Sequence, residues 1–131
     1  MSLNRDAILS ADDLPRKSVD VPEWGGSVWV KTMTAGERDA WEADCLNRQK
    51  ANNDTTDLTN FRARYCVLVL VDDDGNRMFT NAEAVELGNK SAPAVDRIFD
   101  AARKLNKISD DDIDELEKNS EAAQSDASAS G

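Results

Sequence analysis

Six apolar residues in a row, Cys66 to Val71, are the feature that most constrains how this chain can fold. Helical spacing leads into this run at Phe61, Tyr65 and Leu68. We therefore favour a helix that begins near Asn60 and is apolar on nearly all sides at its end, which suits the centre of a core. The β-branched residues also fit a buried strand, paired with Arg77–Thr80 across an Asp-Asp-Asp-Gly-Asn turn. Both assignments stay open, and both bury the run.

A β-hairpin is predicted at about residues 18–32. Valines alternate with polar residues on both sides of a Pro-Glu-Trp-Gly-Gly sequence, which supplies turn residues. The strand period of two puts Val28 and Val30 on one face of the second strand and Trp29 on the other. Two strands alone are marginal in water, so the hairpin must pack on other elements. Either a helix and a loop cover its two faces, or Trp29 or Trp24 meets a partner chain, since tryptophan is enriched at binding hot spots.

Capping signals mark the starts of the helices. Thr34 and Thr80 are each followed three positions later by glutamate, as in a capping box. The first of these helices is expected to reach about Lys50, and Gly88 is placed to end the second, short one. A single helical turn is also expected near the N-terminus, from Asn4 to Leu9, before a surface lead-in.

The last long helix begins after Ser91, which is placed to cap it, with a proline tolerated in its first turn. Apolar residues at a spacing of three, four and three define its buried face. They are Val95, Ile98, Ala102 and Leu105. Phe99 lies alongside this face. After Ser109, three acidic residues fit the N-terminus of another short helix, because acids are favourable there.

These elements define the fold class as α+β and mainly α, with a small helical domain that carries an N-terminal β-hairpin. We place this single domain at residues 1–118 and a disordered acidic tail, without a large apolar residue, at 119–131. Of the net charge of −10, residues 109–131 contribute −7, with eight acidic residues and one lysine. Because binding to phosphates needs clustered lysine and arginine, we predict no nucleic-acid ligand and favour a basic protein partner.

The residues needed for common catalytic and metal sites are missing from the sequence. There is no histidine, so the usual zinc signatures and the base of the common Ser or Cys nucleophiles are lacking. Aligning Gly75 as the sixth residue of a calcium loop puts Leu70 first and Asn81 twelfth, so the EF-hand pattern fails. Two buried free thiols, Cys45 and Cys66, are favoured, although a disulfide stays open. We predict no enzyme, no cofactor and no metal.

No apolar segment reaches the length of a signal peptide core or of a membrane-spanning helix. The longest apolar run has six residues, whereas a transmembrane helix needs roughly 20. The sequence therefore predicts no secretion and no membrane partner.

Three segments, taken in order, resemble the tail assembly chaperones of long, non-contractile-tailed, lambda-like bacteriophages. They are ILSADDLPRKSVDVPEWGGSVWVKTMTAGERDAWEA, NFRARYCVLVLVDDDGNRMFT and SAPAVDRIFDAARKLNKIS. The resemblance spans roughly residues 8–116 and follows the order of lead-in, hairpin and Thr-capped helix, then long helix, Asp-Gly turn and Phe, then helices before an acidic tail. The pattern is distinctive as a whole and weak in any one piece.

The resemblance implies a binding protein without catalytic activity. Chaperones of this family are understood to coat the long tape measure protein, keep it soluble, associate with copies of themselves, and leave as tail tube protein polymerises. In many relatives a ribosomal frameshift yields a longer product that recruits the tail tube protein, and this chain looks like the shorter product. The resemblance thus implies tape measure protein, further copies and, through the longer product, tail tube protein as partners. It also implies the host cytoplasm as location and absence from the mature virion.

On this interpretation, apolar surface at Trp24, Trp29 and Phe99 contacts the partner, while Asp110, Asp111 and Asp112 disfavour irreversible collapse. The alternative is an acidic inhibitor or nucleic-acid mimic that occupies a basic cleft on a host protein. Such mimics spread charge over the folded surface, whereas the excess here lies mainly in the last 23 residues. A third possibility is a structural subunit retained in the virion, which would be found in purified particles.

Overall fold

A computed structural model of the chain describes residues 1–55, 57–108 and 112. The elements are α1 (Arg5–Ser10), β1 (Arg16–Val21), β2 (Gly26–Lys31), α2 (Ala35–Ala51), α3 (Phe61–Val69), β3 (Leu70–Val71), α4 (Ala84–Leu87) and α5 (Ala92–Leu105). Short 3-10 turns occupy Pro22–Trp24 and Asn81–Glu83. The predicted fold class is confirmed: the chain is α+β, mainly helical, with an N-terminal hairpin. The predicted tail over 119–131 lies outside the described residues.

The three strands form one antiparallel sheet in the order β1-β2-β3. In the hairpin, Arg16 pairs with Lys31 and Val21 with Gly26. Gly25, in the turn between the strands, has a φ of 74°, a conformation that glycine adopts without steric cost. The predicted hairpin is confirmed, with strand bounds slightly wider than residues 18–32 at its start.

The apolar run at 66–71 is divided between a helix and a strand. The favoured helix is confirmed as α3, which ends at Val69. Leu70 then takes extended backbone angles, and the last two residues of the run form β3, which pairs with β2. The alternative pairing across the acidic turn survives as a single bridge between Val71 and Arg77. The chain leaves the helix because the open edge of β2 supplies hydrogen-bond partners that sequence spacing cannot reveal.

Three predicted helix starts are confirmed by hydrogen bonds. The Thr34 side chain accepts from the Glu37 N–H at 3.1 Å, and Glu37 Oε1 accepts from the Thr34 N–H at 2.9 Å. The Thr80 N–H donates to Glu83 at 2.8 Å, where a 3-10 turn precedes α4. The Ser91 hydroxyl oxygen accepts from the N–H of the third helical residue of α5 at 3.1 Å.

The core lies between the sheet, α5 and α3. Helix α5 packs on β1 and β2, and α3 packs on both α5 and α4. The predicted face of α5 is buried as expected, with Leu105 partly buried at its end. Val19, Val21 and Val30 supply the side of the sheet that this helix covers.

Helix α5 ends in a Schellman motif. The Ile108 N–H donates to Arg103 O at 2.8 Å, and the Lys107 N–H donates to Lys104 O at 3.2 Å. Lys107 has a φ of 59°, the left-handed conformation that this motif requires after the helix. Ile108 is buried, so the motif folds the chain back onto the core.

Candidate partner-binding surfaces

Trp29 lies on the face of the sheet opposite α5, where a loop covers it. Its indole N–H donates to Asp73 Oδ1 at 3.0 Å, and the Arg16 guanidinium lies 4.5 Å from the ring centroid. Arg16 also donates to the backbone oxygen of Asp73 at 2.8 Å. One face of the hairpin is therefore covered by a helix and the other by the acidic turn. Trp29 mainly joins the hairpin to this turn.

The acidic turn at Asp72–Asn76 is held by its own hydrogen bonds. Asp72 Oδ1 accepts from the N–H groups of Asp74 and Asn76, at 2.9 and 3.0 Å. Gly75 has a φ of 85°, a left-handed conformation that glycine adopts without steric cost. Among the described residues, no group of three or more potential ligands could hold a metal ion.

Trp24 is the most exposed of the three tryptophans, with 37% of its surface accessible. It lies in the turn between β1 and β2, and the adjacent Glu23 fixes this turn to α5 through Arg97 at 2.7 Å. The hydrogen bond from Arg97 lowers the pKa of Glu23 below its ordinary value. Trp24 is thus an apolar side chain held at the surface by a braced turn, which suits a contact with a partner.

Phe99 lies in the core, with only 6% of its surface accessible. Its ring centroid is 5.4 Å from that of Tyr65 and 6.3 Å from that of Phe61. Trp41 of α2 completes this aromatic cluster, 5.1 Å from Tyr65. From the sequence we predicted Phe99 at a partner surface, but α3 packs over that side of α5 and covers most of the ring.

The three acidic residues proposed after Ser109 are only partly described. Asp112 is exposed and helical, whereas Asp110 and Asp111 lie outside the described residues. The position of the acidic group relative to Trp24 and Trp29 therefore stays a prediction from the sequence.

Two further surfaces were not predicted from the sequence. The first is the N-terminal arm, residues 1–15, in which α1 has no buried residue. The second is a pocket of about 350 Å³ between the start of α3, the segment after α4 and the first turns of α5. We call it the α3/α5 pocket. The exposed aliphatic residues of the arm were visible in the sequence, whereas the pocket depends on elements that are distant along the chain.

A second pocket, of about 430 Å³, lies between α2 and α3. Its lining mixes basic and acidic side chains: Arg48, Arg64, Arg77, Glu37 and Asp44. Arg64 donates to the backbone oxygen of Asp57, and Arg77 donates to Val67 O at 2.9 Å. These arginines brace the chain around α3, and the pocket does not present a surface of one charge.

The two cysteines are free, with Cys66 buried and Cys45 half-buried. Burial raises the pKa of the Cys45 thiol and raises that of Cys66 to about 12. Because the thiolate is the reactive form, neither side chain resembles an activated nucleophile. Within the described ranges, no helix is long and apolar enough to cross a bilayer.

Comparison with known proteins connects these features to a family. The family model described as phage tail assembly chaperone matches residues 4–123, nearly the whole chain. The structure of the bacteriophage HK97 tail assembly chaperone is similar in fold, with a TM-score of 0.53 and 20% sequence identity. That alignment covers 76% of this chain and 90% of the HK97 chain. None of the curated protein sequences compared with this chain matches it. This chain belongs to the phage tail assembly chaperone family.

Proposed function

We propose that this protein binds the tape measure protein of a phage and keeps it soluble while the tail is built, and that it also associates with copies of itself. Family membership supports a non-enzymatic role in tail assembly. The observation that best supports binding to the tape measure protein and to further copies is that Ile8, Leu9 and Trp24 are exposed in the folded chain. Apolar surface that is held in place without being buried favours binding over further folding of the chain.

The charge of the chain suits a complex that must come apart again. Apolar contacts drive association, whereas the net charge of −10 makes copies of the protein repel one another. We propose that Asp110, Asp111 and Asp112 contribute to this repulsion. Association is then strong enough to cover the tape measure protein and weak enough to yield when tail tube protein polymerises.

The proposal includes a longer product, made by a ribosomal frameshift, whose added domain recruits tail tube protein. The coding DNA provides the check: a slippery heptanucleotide shortly before the stop codon should open a −1 frame that continues for a further domain. A long downstream reading frame rich in helical heptads should encode the tape measure protein. Absence of the slippery site and of the extended frame would remove the frameshift from the proposal.

We propose the host cytoplasm as the place of action, with the chaperone leaving before the virion is complete. The protein should then be present in lysates of infected cells and missing from purified particles. Its recovery in particles at a fixed ratio to tail proteins would instead support a structural subunit.

Replacing Trp24 with alanine is expected to weaken binding to the tape measure protein about 30-fold, the loss associated with a hot-spot side chain. Helical content should not change, because Trp24 is exposed and the turn is held by Glu23 and Arg97. Binding is measured by titration of labelled tape measure fragments and by retention on an immobilised fragment.

Leu46→Ala is the matched control, since this exposed leucine of α2 lies outside the proposed contact. It should bind like the unmodified protein. Equal binding by the Trp24 and Leu46 variants would exclude Trp24 from the contact. Failure of the unmodified protein to bind any tape measure fragment would contradict the proposed function itself.

A further inference from the structure

The N-terminal arm is an apolar segment that none of the described residues covers. Half of the ten large apolar side chains exposed among the described residues belong to it: Met1, Leu3, Ile8, Leu9 and Leu14. In α1, Ile8 and Leu9 are 58% and 69% accessible. The helix is capped by Asn4, whose side chain accepts from the Ala7 N–H at 2.8 Å. Six residues make a marginal helix in water, so a contact through its apolar residues would stabilise it.

The α3/α5 pocket offers a partly apolar surface to such a segment. Phe61, Val95 and Phe99 contribute its apolar lining, and Leu58 stands at its edge with 58% of its surface accessible. The loop that carries Leu58 approaches Gly88 so closely that a Cβ there would lie 2.2 Å from the side-chain oxygen of Asn60. The pocket is thus built by a specific close approach of two segments.

The arm joins the rest of the domain near the C-terminal end of α5, whereas the α3/α5 pocket lies at the N-terminal half of this helix. Thr32 N–H donates to Pro15 O, and the adjacent Lys31 O accepts from Asn106, just beyond the last residue of α5. The pocket is lined by the other end of this helix, from Ala92 to Phe99. At 1.5 Å per residue, about 15 Å of helix separates Asp96 from Asn106. Ile8 and Leu9 are exposed, so the arm does not occupy the pocket of its own copy in this structure, and a second copy is the occupant that its apolar residues fit.

The charges of the two surfaces are complementary. The arm carries three carboxylates and one guanidinium: Asp6, Asp12, Asp13 and Arg5. The pocket is lined by Arg62, Lys90 and Asp96, of which Arg62 and Asp96 form an ion pair at 3.3 Å. Lys90 is exposed and remains to attract the acidic arm. Opposite charges at the rim favour this docking. Repulsion between the acidic surfaces of two copies disfavours other contacts.

We propose that the arm of one copy docks into the α3/α5 pocket of a second copy, with Ile8 and Leu9 entering the pocket and the acidic residues of the arm near Lys90. The contact is head-to-tail, because it joins two different surfaces of the same chain. The inference rests on the self-association included in the proposed function, and it names the two surfaces that produce it.

The test uses two variants of the full chain, each with one surface removed. Ile8→Asp/Leu9→Asp alters the arm, and Leu58→Asp/Lys90→Glu alters the pocket edge at exposed positions. Each variant should raise the dissociation constant of self-association by about 100-fold or more, since buried aliphatic contacts are lost. Sedimentation velocity over a concentration series measures it, and circular dichroism verifies the fold. Leu46→Asp, an equally drastic change on α2, should associate like the unmodified protein.

Mixing the two variants separates this contact from other modes of association. The arm variant keeps an intact pocket and the pocket variant keeps an intact arm, so an equimolar mixture should form a one-to-one complex. This complex should grow no larger, because its remaining arm and pocket are the altered ones. A mixture that stays monomeric, or an arm variant that associates like the unmodified protein, would overturn the inference.

The outcomes also distinguish the inference from the proposed function. If the unmodified protein associates and the arm variant does so equally well, the contact is wrong while self-association stands. If the unmodified protein is monomeric at every concentration, both the contact and self-association fail. Retention of the unmodified protein on an immobilised tape measure fragment tests the remaining chaperone role independently.

Discussion

Phe99→Ala is expected to lower the free energy of unfolding by about 3–5 kcal/mol, the usual loss when a buried aromatic ring is removed. The ring packs between Phe61 and Tyr65 and also forms part of the α3/α5 pocket lining. Its removal would leave a cavity where α5 meets α3. Because domains of this size are stable by about 5–15 kcal/mol, the loss is a large share of the total. Urea unfolding followed by circular dichroism measures it.

Trp24→Ala provides the comparison for this experiment, because the two positions were predicted from sequence to share one role. Replacing the exposed Trp24 with alanine should lower the free energy of unfolding by less than about 1 kcal/mol. Its expected effect is on binding. If Phe99→Ala unfolds at the same urea concentration as the unmodified protein, the burial of Phe99 in the core is wrong and the partner-binding interpretation returns.

Asn106→Ala is expected to lower the free energy of unfolding by about 2–4 kcal/mol, because it leaves a buried N–H without its acceptor. Asn106 Oδ1 accepts from the Met33 N–H at 2.7 Å. Its side-chain amide donates to Lys31 O at 3.2 Å and to Ala102 O at 2.9 Å. One buried side chain thus joins the end of α5 to the connection between β2 and α2.

Asn89→Ala is the matched control, since this asparagine is exposed in the turn after α4. It should change stability by no more than about 0.5 kcal/mol. The two variants are compared by urea unfolding, and amide hydrogen exchange should show faster exchange at Met33 in the Asn106 variant alone. Equal stability of the two variants would mean that the three hydrogen bonds of Asn106 contribute nothing net.

The helices could be predicted from sequence because their signals are local. The hydroxyl of Thr34 and the carboxylate of Glu37 find their backbone partners within three residues, whatever the rest of the chain does. The buried face of α5 follows from its spacing of apolar residues. The end of α3 could not be predicted in this way. Leu70 and Val71 became a strand because β2, some 40 residues earlier, offered an open edge.

The candidate site shows the same division among three aromatic residues of similar chemistry. Trp24, Trp29 and Phe99 were all expected to contact a partner. The structure exposes the first, joins the second to Asp73 and buries the third beneath α3. Each outcome depends on a segment more than 30 residues away, except the exposure of Trp24, which follows from its position in a turn.

The sequence by itself determined most of the elements, the family and the placement of charge. Helix caps and apolar periodicity act between residues that are close along the chain, and composition does not depend on the fold. What only the tertiary structure decided is which apolar side chains are buried. Burial depends on contacts between distant segments, as at Phe99 and in the α3/α5 pocket. The apolar residues of the arm are visible in the sequence, but only the structure shows that the described core contains none of them.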